Sequence, residues 1–196
     1  MPVKIGLTGG IGCGKSTVIA HLREAGLTTI ESDAIVRQLL QSDGSIVSAI
    51  FERWGRAVAA PDGSLDRKAI ARRVFSDDSD LRWLEQLLHP RVRERWESEL
   101  HQSSSDQVVV EIPLLFEKNL ETHFDFTVCV ESAEFLVNRR MIGRGYSKED
   151  VERRRRRQLP IQEKIERANF VLSNSGSLQF LKLQTQRLVD LLCANR

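Results

Sequence analysis

A glycine-rich stretch near the start of the chain carries the residues best suited to chemistry. Residues 6–17 read GLTGGIGCGKST, and positions 9–16 within them have the spacing GxxxxGKS. Glycines let consecutive N–H groups curl around phosphate oxygens, because a Cβ would block both the positive φ angles and the close approach of the anion. A helix that starts here adds the partial positive charge of its N-terminus. The motif predicts a cradle for the phosphates of a nucleoside triphosphate.

The polar residues of this loop have separate expected roles. Lys15 reaches the β- and γ-phosphates, and Ser16 holds the Mg²⁺ ion that accompanies ATP. Thr17 lies near the α-phosphate by its position. The alternative is a flexible turn with an incidental GKS, which the strand pattern before it and the helix pattern after it disfavour. The predicted ATP-binding residues of the loop are Gly10, Ile11, Gly12, Cys13, Gly14, Lys15, Ser16 and Thr17.

Other motifs separate the classes of protein that use such a loop. A GTPase needs a DxxG switch and an NKxD-like guanine reader, and the sequence contains neither. A remodelling ATPase normally has two acids after an apolar run, whereas VVVEIP at 108–113 places Glu111 there alone. Glu111 is expected to hold a water of the Mg²⁺ shell, and the alternative is an ordinary carboxylate at a strand end. A small-molecule kinase remains.

Such a kinase also needs an acid beside the acceptor and arginines that neutralise the transferring phosphoryl group. Asp33 follows a β-branched run, at the sheet edge where open α/β folds bind ligands, and is placed to take the proton of an acceptor hydroxyl. Its alternative role, an N-cap of a helix over 34–41, is compatible with this one. Arg140 and Arg144 have i,i+4 spacing and therefore share one helix face.

Five consecutive arginines occupy positions 153–157. A run of this length goes round a whole helix, so one or two side chains face any adjacent phosphates and the others are solvated or paired with acids. The run is internal and follows a helix-start signal. A lid that clamps phosphates is favoured over a solvated face or a nucleic-acid tail.

The scaffold for these residues is predicted to alternate strands and helices. Strand, glycine loop, helix and second strand open the chain as a βαβ unit, for which a right-handed crossover is the default. VVVEIP at 108–113 and FTVCVE at 126–131 are continuous apolar runs, typical of strands covered on both faces. Helical patterns dominate from 34 to about 102, with a break expected at His89-Pro90. The predicted organisation is one unit, with its core at about 1–32, 103–135 and 160–196, a helical acceptor-binding insert at about 33–102 and a lid at about 136–159.

Composition excludes several other classes of protein. The 196 residues suffice for one domain, and 41% hydrophobic with 29% charged residues is typical of a folded globular chain. A net charge of +2 does not indicate a polycation that binds nucleic acid. Three well-separated cysteines, no signal-peptide pattern and no apolar run approaching ~18 residues predict a cytoplasmic protein without a membrane partner. A monomer is the default expectation.

Over nearly its whole length the sequence resembles the dephospho-coenzyme A kinase family. The glycine loop is generic, but HPRVR, EIPLLFE and FVLSNSGS in this order are specific. The segments that carry the resemblance are IGLTGGIGCGKST, SDAIVR with Asp33 and Arg37, LDRKAIARRVF at 65–75, LEQLLHPRVR at 84–93, VVVEIPLLFE at 108–117, Arg140 with Arg144, Gln158, and ANFVLSNSGS at 168–177.

This resemblance implies a P-loop NTPase fold of three α/β/α layers, with a five-stranded parallel sheet, a helical domain for the CoA moiety and a small helical lid over ATP. It implies Mg²⁺-dependent transfer of the ATP γ-phosphate to the ribose 3′-hydroxyl of dephospho-CoA, which yields CoA and ADP in the last step of coenzyme A biosynthesis. Asp33 would be the base, and Lys15 and Arg140 would stabilise the transferring phosphate. Further ATP contacts would come from Arg144, Asn174 and Gly176, and the acceptor side would comprise Asp33, Arg37, His89, Pro90, Glu111 and Leu114.

Two positions depart from the family pattern and two other functions stay open. Val137 stands where the family often has Gln, and Glu31 where it often has Asp; both bear on the geometry of the site rather than on its chemistry. His89 suits a helix-end hydrogen bond equally well. The nearest alternative function is a kinase of another small acceptor such as a nucleoside monophosphate. The other is a regulatory or nucleic-acid-binding protein that uses residues 153–157 on a phosphate backbone.

Overall fold

The computed structural model describes residues 2–194, with a sheet of five parallel strands at its centre. The strands are β1 (Val3–Gly9), β2 (Thr28–Glu31), β3 (Gln107–Glu111), β4 (Phe126–Glu131) and β5 (Phe170–Ser173). Across the sheet they lie in the order β2, β3, β1, β4, β5, and every neighbouring pair is parallel. The five-stranded parallel sheet is therefore confirmed, with β1 in the middle and its carboxyl end opening into the glycine loop.

Helices make up most of the remaining described chain. They are α1 (Lys15–Glu24), α2 (Ser32–Ser42), α3 (Gly44–Trp54), α4 (Arg67–Ser76), α5 (Asp78–Gln102), α6 (Glu134–Gly143), α7 (Lys148–Arg155), α8 (Ile161–Arg167) and α9 (Leu178–Ala194). Two compact units result: within the described chain, residues 2–31 with 102–194 form the first, and Ser32–His101 form the second. Among the described helices, none has both the length and the apolar character needed to cross a bilayer.

The two faces of the sheet in the first unit are covered in different ways. Ile5 and Leu7 of β1 are buried in a cluster to which α1 and α9 contribute apolar side chains. Gly6, between them, faces the other way, where a Cβ would lie 2.6 Å from Leu115 Cδ1. All five residues of β3 are buried, which is why this strand reads as a continuous apolar run rather than an alternating one.

The second unit is entirely helical apart from short connections, and α5 runs through it without interruption. The predicted break at His89-Pro90 is wrong, because Pro90 lies inside α5. A proline removes one backbone hydrogen bond from a helix. Burial of an i,i+4 row on both sides of it compensates for this loss and holds the two halves in one helix. The buried row is Leu84, Leu88, Val92, Trp96 and Leu100.

A buried carboxylate joins three helices of this second unit. Asp80 Oδ1 accepts hydrogen bonds from Arg53 and from Trp54 Nε1 at 3.1 Å, and its Oδ2 accepts one from Arg73 Nε at 2.6 Å. Burial alone would raise the pKa of Asp80, but the bonds from Trp54, Arg53 and Arg73 outweigh it and hold this pKa below its ordinary value. The unit is thus assembled around a carboxylate that must stay ionised.

Candidate active site

The glycine loop lies between β1 and α1, and its backbone requires glycine at two points. Gly14 is the N-cap of α1 with a φ of 100°, and a Cβ there would lie 2.1 Å from Nδ2 of Asn174. Gly9 has a φ of 146°, and a Cβ there would lie 2.2 Å from the carbonyl oxygen of Val130. The loop can therefore keep this path only without side chains at both positions.

The side chain of Asn174 supports the glycine loop through a hydrogen bond to its backbone. This residue directly follows β5, is only 2% exposed, and donates from Nδ2 to the carbonyl oxygen of Cys13 at 2.8 Å. Its own backbone N–H donates to Glu131 at the end of β4. Its Oδ1 atom is buried and has no hydrogen-bond partner within residues 2–194. Asn174 therefore acts on the loop backbone, while its predicted contact with ATP stays a prediction.

Arg140 is held against the ends of β4 and β5. Its guanidinium donates to Ser132 Oγ at 3.0 Å and to the carbonyl oxygen of Asn174 at 2.9 Å. The Ser132 hydroxyl donates to that same carbonyl at 2.8 Å. Arg144 is the C-cap of α6 and is exposed. The structure thus fixes one arginine of the predicted pair beside the loop and leaves the other at the surface.

Lys15 and Glu111 meet at the carboxyl ends of β1 and β3. Lys15 Nζ donates to the carbonyl oxygens of Gly9 and Gly10, both at 3.3 Å, and lies 3.8 Å from Glu111 Oε1. Glu111 is 6% exposed, and Leu114 lies half-buried in the turn that follows β3. These long contacts leave the ammonium group available for a stronger anionic ligand.

A cavity of about 420 Å³ lies beside the loop. The backbone N–H of Ile11 on its loop side donates to Oε1 of Gln158 at 2.9 Å, which ties the loop to the segment that follows α7. Val137 lines the cavity from α6. Cys13 lines it as a neutral thiol, because burial raises its pKa above the ordinary value. The remaining lining residues are Gly10, Ser132, Glu134, Glu152, Arg155, Arg156, Leu159, Pro160 and Ile161.

The structure distinguishes the arginines of the 153–157 run from one another. The guanidinium of Arg154 stacks on the ring of Tyr146 at 5.0 Å. Arg155 donates to three acceptors, of which Glu134 and Asn138 tie the end of α7 to α6 and Glu152 belongs to α7 itself. The distances are 2.9 Å to Glu134, 2.6 Å to Glu152 and 3.1 Å to Asn138.

Arg156 differs from Arg154 and Arg155 in its surroundings. Its side chain lines the cavity beside the loop and is exposed. With the other described residues it forms no side-chain hydrogen bond or ion pair. The run thus contributes a cation whose donors are available to a ligand in this cavity, and the sequence alone could not identify which arginine it would be.

The remaining predicted acceptor residues belong to the second unit. Asp33 and Arg37 are exposed and lie four residues apart on α2, hence on one face of that helix. Because α2 begins at Ser32, Asp33 lies in its first turn, and the alternative N-cap role is wrong. His89 and Pro90 are exposed on α5.

Several residues of the site carried no signal in the sequence. Ser132, which bonds Arg140, looks like an ordinary polar residue before a helix, and Ile161 gives no hint that it lines a cavity. Gly176, by contrast, was predicted as an ATP contact; it lies in the turn after β5, where a Cβ would be 3.4 Å from Phe180, and its contact with ATP stays a prediction. Only strand order brings the segments after β4 and β5 to the glycine loop.

A family model described as dephospho-CoA kinase matches residues 3–179. Curated relatives carry the same description. One from Idiomarina loihiensis is 38% identical over 189 residues, which cover 96% of this chain and 94% of the relative. One from Thermus thermophilus is 41% identical over 182 residues, covering 92% and 87% of the two chains.

Solved structures show the same architecture. The crystal structure of TT1252 from Thermus thermophilus has a TM-score of 0.81 and 39% identity, and covers 99% of this chain and 97% of that one. Dephospho-CoA kinase from Campylobacter jejuni has a TM-score of 0.74 at 24% identity and full coverage of both chains. Shikimate kinase from Acinetobacter baumannii has a TM-score of 0.55 at 16% identity, covering 100% and 96%. The last two likenesses establish the three-layer α/β/α P-loop fold.

Proposed function

Because the chain belongs to the dephospho-CoA kinase family, we propose how its own residues carry out the reaction of that family. The protein is a transferase that phosphorylates dephospho-CoA with ATP in coenzyme A biosynthesis. In this proposal the acceptor is the ribose 3′-hydroxyl, the first unit binds ATP, and the second unit binds the CoA moiety.

The observation that carries the assignment is the geometry of the glycine loop. Gly14 in a left-handed conformation turns the chain into α1, so that loop N–H groups and the helix N-terminus converge on one anion site. Lys15 Nζ lies over this loop on two carbonyl oxygens at 3.3 Å. A triphosphate offers the ammonium full negative charge within hydrogen-bond distance, in place of two carbonyl oxygens at 3.3 Å and the Glu111 carboxylate at 3.8 Å. Hydrogen bonds between an ammonium and an anionic oxygen are shorter and stronger than these contacts.

In the proposed transfer, the residues stabilise charge and orient the acceptor. Asp33 orients the attacking hydroxyl and accepts its proton, while most of the rate acceleration comes from positioning and charge stabilisation, as is general for phosphoryl transfer. Lys15 and Arg140 neutralise the oxygens of the transferring group. The bonds from Arg140 to Ser132 and Asn174 set its guanidinium in place before ATP arrives.

The donor set suits a Mg²⁺ ion that arrives with ATP rather than one held by the protein. No group of three or more His, Cys, Asp or Glu side chains in the described part of the chain could hold a metal. Mg²⁺ usually keeps several waters and takes one or two protein oxygens together with substrate phosphates. Ser16 would supply one oxygen, and Glu111 would hold a water of the shell. The ion would neutralise charge on the β- and γ-phosphates.

Arg156 is proposed as a phosphate ligand from the lid. It lines the cavity and has no partner to give up among the described residues, whereas Arg155 is held by two carboxylates. Arg156→Ala should raise the KM for ATP about 10-fold, as expected for losing one charge-assisted contact of about 1.5 kcal/mol. Arg153→Ala serves as the matched control, since Arg153 does not line this cavity. Equal effects of the two substitutions would argue against a direct contact by Arg156.

The acceptor is tested by offering Mg-ATP with dephospho-CoA, AMP, CMP and shikimate separately and following ADP. Turnover with dephospho-CoA and not with the other three is expected. Turnover of a nucleoside monophosphate alone would support the nearest alternative function. RNA binding that weakens steeply with salt, with no acceptor-dependent ADP release, would support the nucleic-acid alternative.

Asp33→Asn separates the catalytic role from a structural one. The substitution removes the proton acceptor and changes little else, since Asp33 is exposed and makes no side-chain hydrogen bond or ion pair with other described residues. Turnover should fall at least ~100-fold while the Kd of ATP is unchanged, on the scale of a lost acid-base contribution. Near-normal turnover would show that another group takes the proton.

A cytoplasmic monomer is proposed as the working form. Cys13, Cys129 and Cys193 are all unpaired thiols, which suits a reducing compartment. Gel filtration with light scattering tests the oligomeric state.

A further inference from the structure

A lysine with no exposed surface lies under the active site. Lys164 of α8 is 0% exposed, and its ammonium lies 2.7 Å from Oε1 of Glu117, a side chain that is 10% exposed. The same ammonium donates to the carbonyl oxygen of Pro113 at 2.9 Å. The mechanism proposed above uses neither member of this ion pair.

Stability does not account for this pair. Removing two charges from water costs about as much as their attraction returns, so apolar side chains of similar volume would stabilise the fold equally well. Oε2 of Glu117 is in addition buried without a hydrogen-bond partner among residues 2–194. A buried acceptor without a donor is itself destabilising.

The hydrogen bonds of the pair all lead to segments that carry active-site residues. Pro113, which accepts from Lys164, lies two residues after Glu111, and its carbonyl oxygen also accepts from Thr8 Oγ1 in β1 at 3.2 Å. Glu117 Oε1 accepts from the backbone N–H of Leu159 at 2.9 Å.

Leu159 connects the pair to the glycine loop. The residue before it, Gln158, accepts the N–H of Ile11 within the loop at 2.9 Å. On the other side, a Cβ on Gly10 would be 3.8 Å from Ile161 Cδ1, so α8 itself begins against the loop. The chain after the lid is therefore fixed between the ion pair and the loop.

Building on the proposed function, we propose that Lys164 and Glu117 are positioning residues. Their buried ion pair holds two segments in place against the glycine loop: the turn after Glu111, through the Pro113 carbonyl, and the chain that follows α7, through the Leu159 N–H. Neither Lys164 nor Glu117 touches ATP. Apolar side chains could fill the same space, but they would fix neither the Pro113 carbonyl nor the Leu159 N–H. Catalysis therefore requires the ion pair even where folding does not.

The test compares thermal stability with catalysis in matched variants. Lys164→Met leaves Glu117 buried without its cation, so both Tm and kcat/KM for ATP should fall, the latter by about 10- to 100-fold, as for a small misplacement of reacting groups. Lys164→Met/Glu117→Leu removes both charges and should recover most of the lost Tm while kcat/KM stays at least ~10-fold low. Lys182→Met is the control, because it breaks an exposed pair of the same 2.7 Å length with Glu24. It should leave both quantities unchanged.

Recovery of wild-type kcat/KM in the double variant would overturn the proposal, since the pair would then only fill space. If the double variant does not fold, Glu117→Gln decides. It keeps an acceptor for the Leu159 N–H but removes the charge, and a wild-type kcat/KM would likewise overturn the proposal. Calorimetric titration of each variant with Mg-ATP, without any acceptor, measures ATP binding by itself. A weakened Kd there supports the positioning role whatever the acceptor, while the wild type with dephospho-CoA tests the function separately.

Discussion

The interaction between Asn174 and the glycine loop gives a sharp test of how ATP is bound. Its amide donates to the Cys13 carbonyl at 2.8 Å and occupies the space that a Cβ on Gly14 would need. Asn174→Ala removes this brace and leaves a buried carbonyl without its donor. If the Asn174 side chain shapes the loop and does not contact the base, the substitution should weaken the binding of any ligand that carries a triphosphate.

The magnitude follows from the atoms involved. An unpaired buried carbonyl costs about 1–3 kcal/mol, but the substitution also removes the unpartnered Oδ1 of Asn174, so the net loss should lie near the lower limit, about 1.4 kcal/mol. If ATP binding must restore the loop conformation that Asn174 maintains, this free energy is subtracted from the free energy of binding, and the Kd of ATP rises about 10-fold. Tm should fall by about 3–5 °C at this chain length.

Asn169 provides a matched control at the opposite end of β5. Its Oδ1 accepts from the backbone N–H of Thr127 at 2.8 Å and from the hydroxyl of Thr127 at 3.0 Å. Asn169→Ala should therefore lower Tm by a similar amount and leave the Kd of ATP within about twofold, because these bonds do not reach the loop. Calorimetric titrations with Mg-ATP and with Mg-tripolyphosphate, which lacks the base and the ribose, supply the two affinities.

Equal weakening of ATP and tripolyphosphate in Asn174→Ala is the expected outcome. Weakening of ATP with unchanged tripolyphosphate affinity would refute the reasoning and assign Asn174 to the adenine or ribose instead. An unchanged Kd for both ligands, with Tm lowered as in the control, would reduce Asn174 to a structural residue.

Three further predictions follow from single residues. Since the pKa of Asp80 is below its ordinary value in the folded state, its contribution to stability is present above about pH 4 and lost as pH falls further; Asp80→Asn should flatten the acid limb of Tm against pH. Because Cys13 and Cys129 are buried, with the pKa of Cys129 raised to about 12, only the exposed Cys193 should react rapidly with an aromatic disulfide reagent, against three thiols after unfolding. Gly14→Ala should abolish Mg-ATP binding measured by calorimetry, because its Cβ would lie 2.1 Å from an amide nitrogen at a φ of 100°.

Much of the fold could be predicted because its signals are local. A strand buried on both faces shows a continuous apolar run, as in β3, and a helix start shows its cap, as where Ser147 Oγ accepts from the N–H of Asp150. The predicted helix break at Pro90 was wrong because it, too, relied on a local signal. A proline disfavours a helix locally, but whether the helix breaks depends on the buried row that holds both halves, which is a tertiary property.

The candidate site likewise combines features that local sequence predicts with features that it does not. The phosphate cradle could be predicted from the residues alone, because the GxxxxGKS spacing fixes which N–H groups and which amine reach the anion. The contact between Asn174 and Gly14, and the availability of Arg156 rather than Arg155 to a ligand, are consequences of the tertiary fold. These contacts join segments far apart in the chain, so they depend on strand order and helix rotation. Neither leaves a local pattern in the residues themselves.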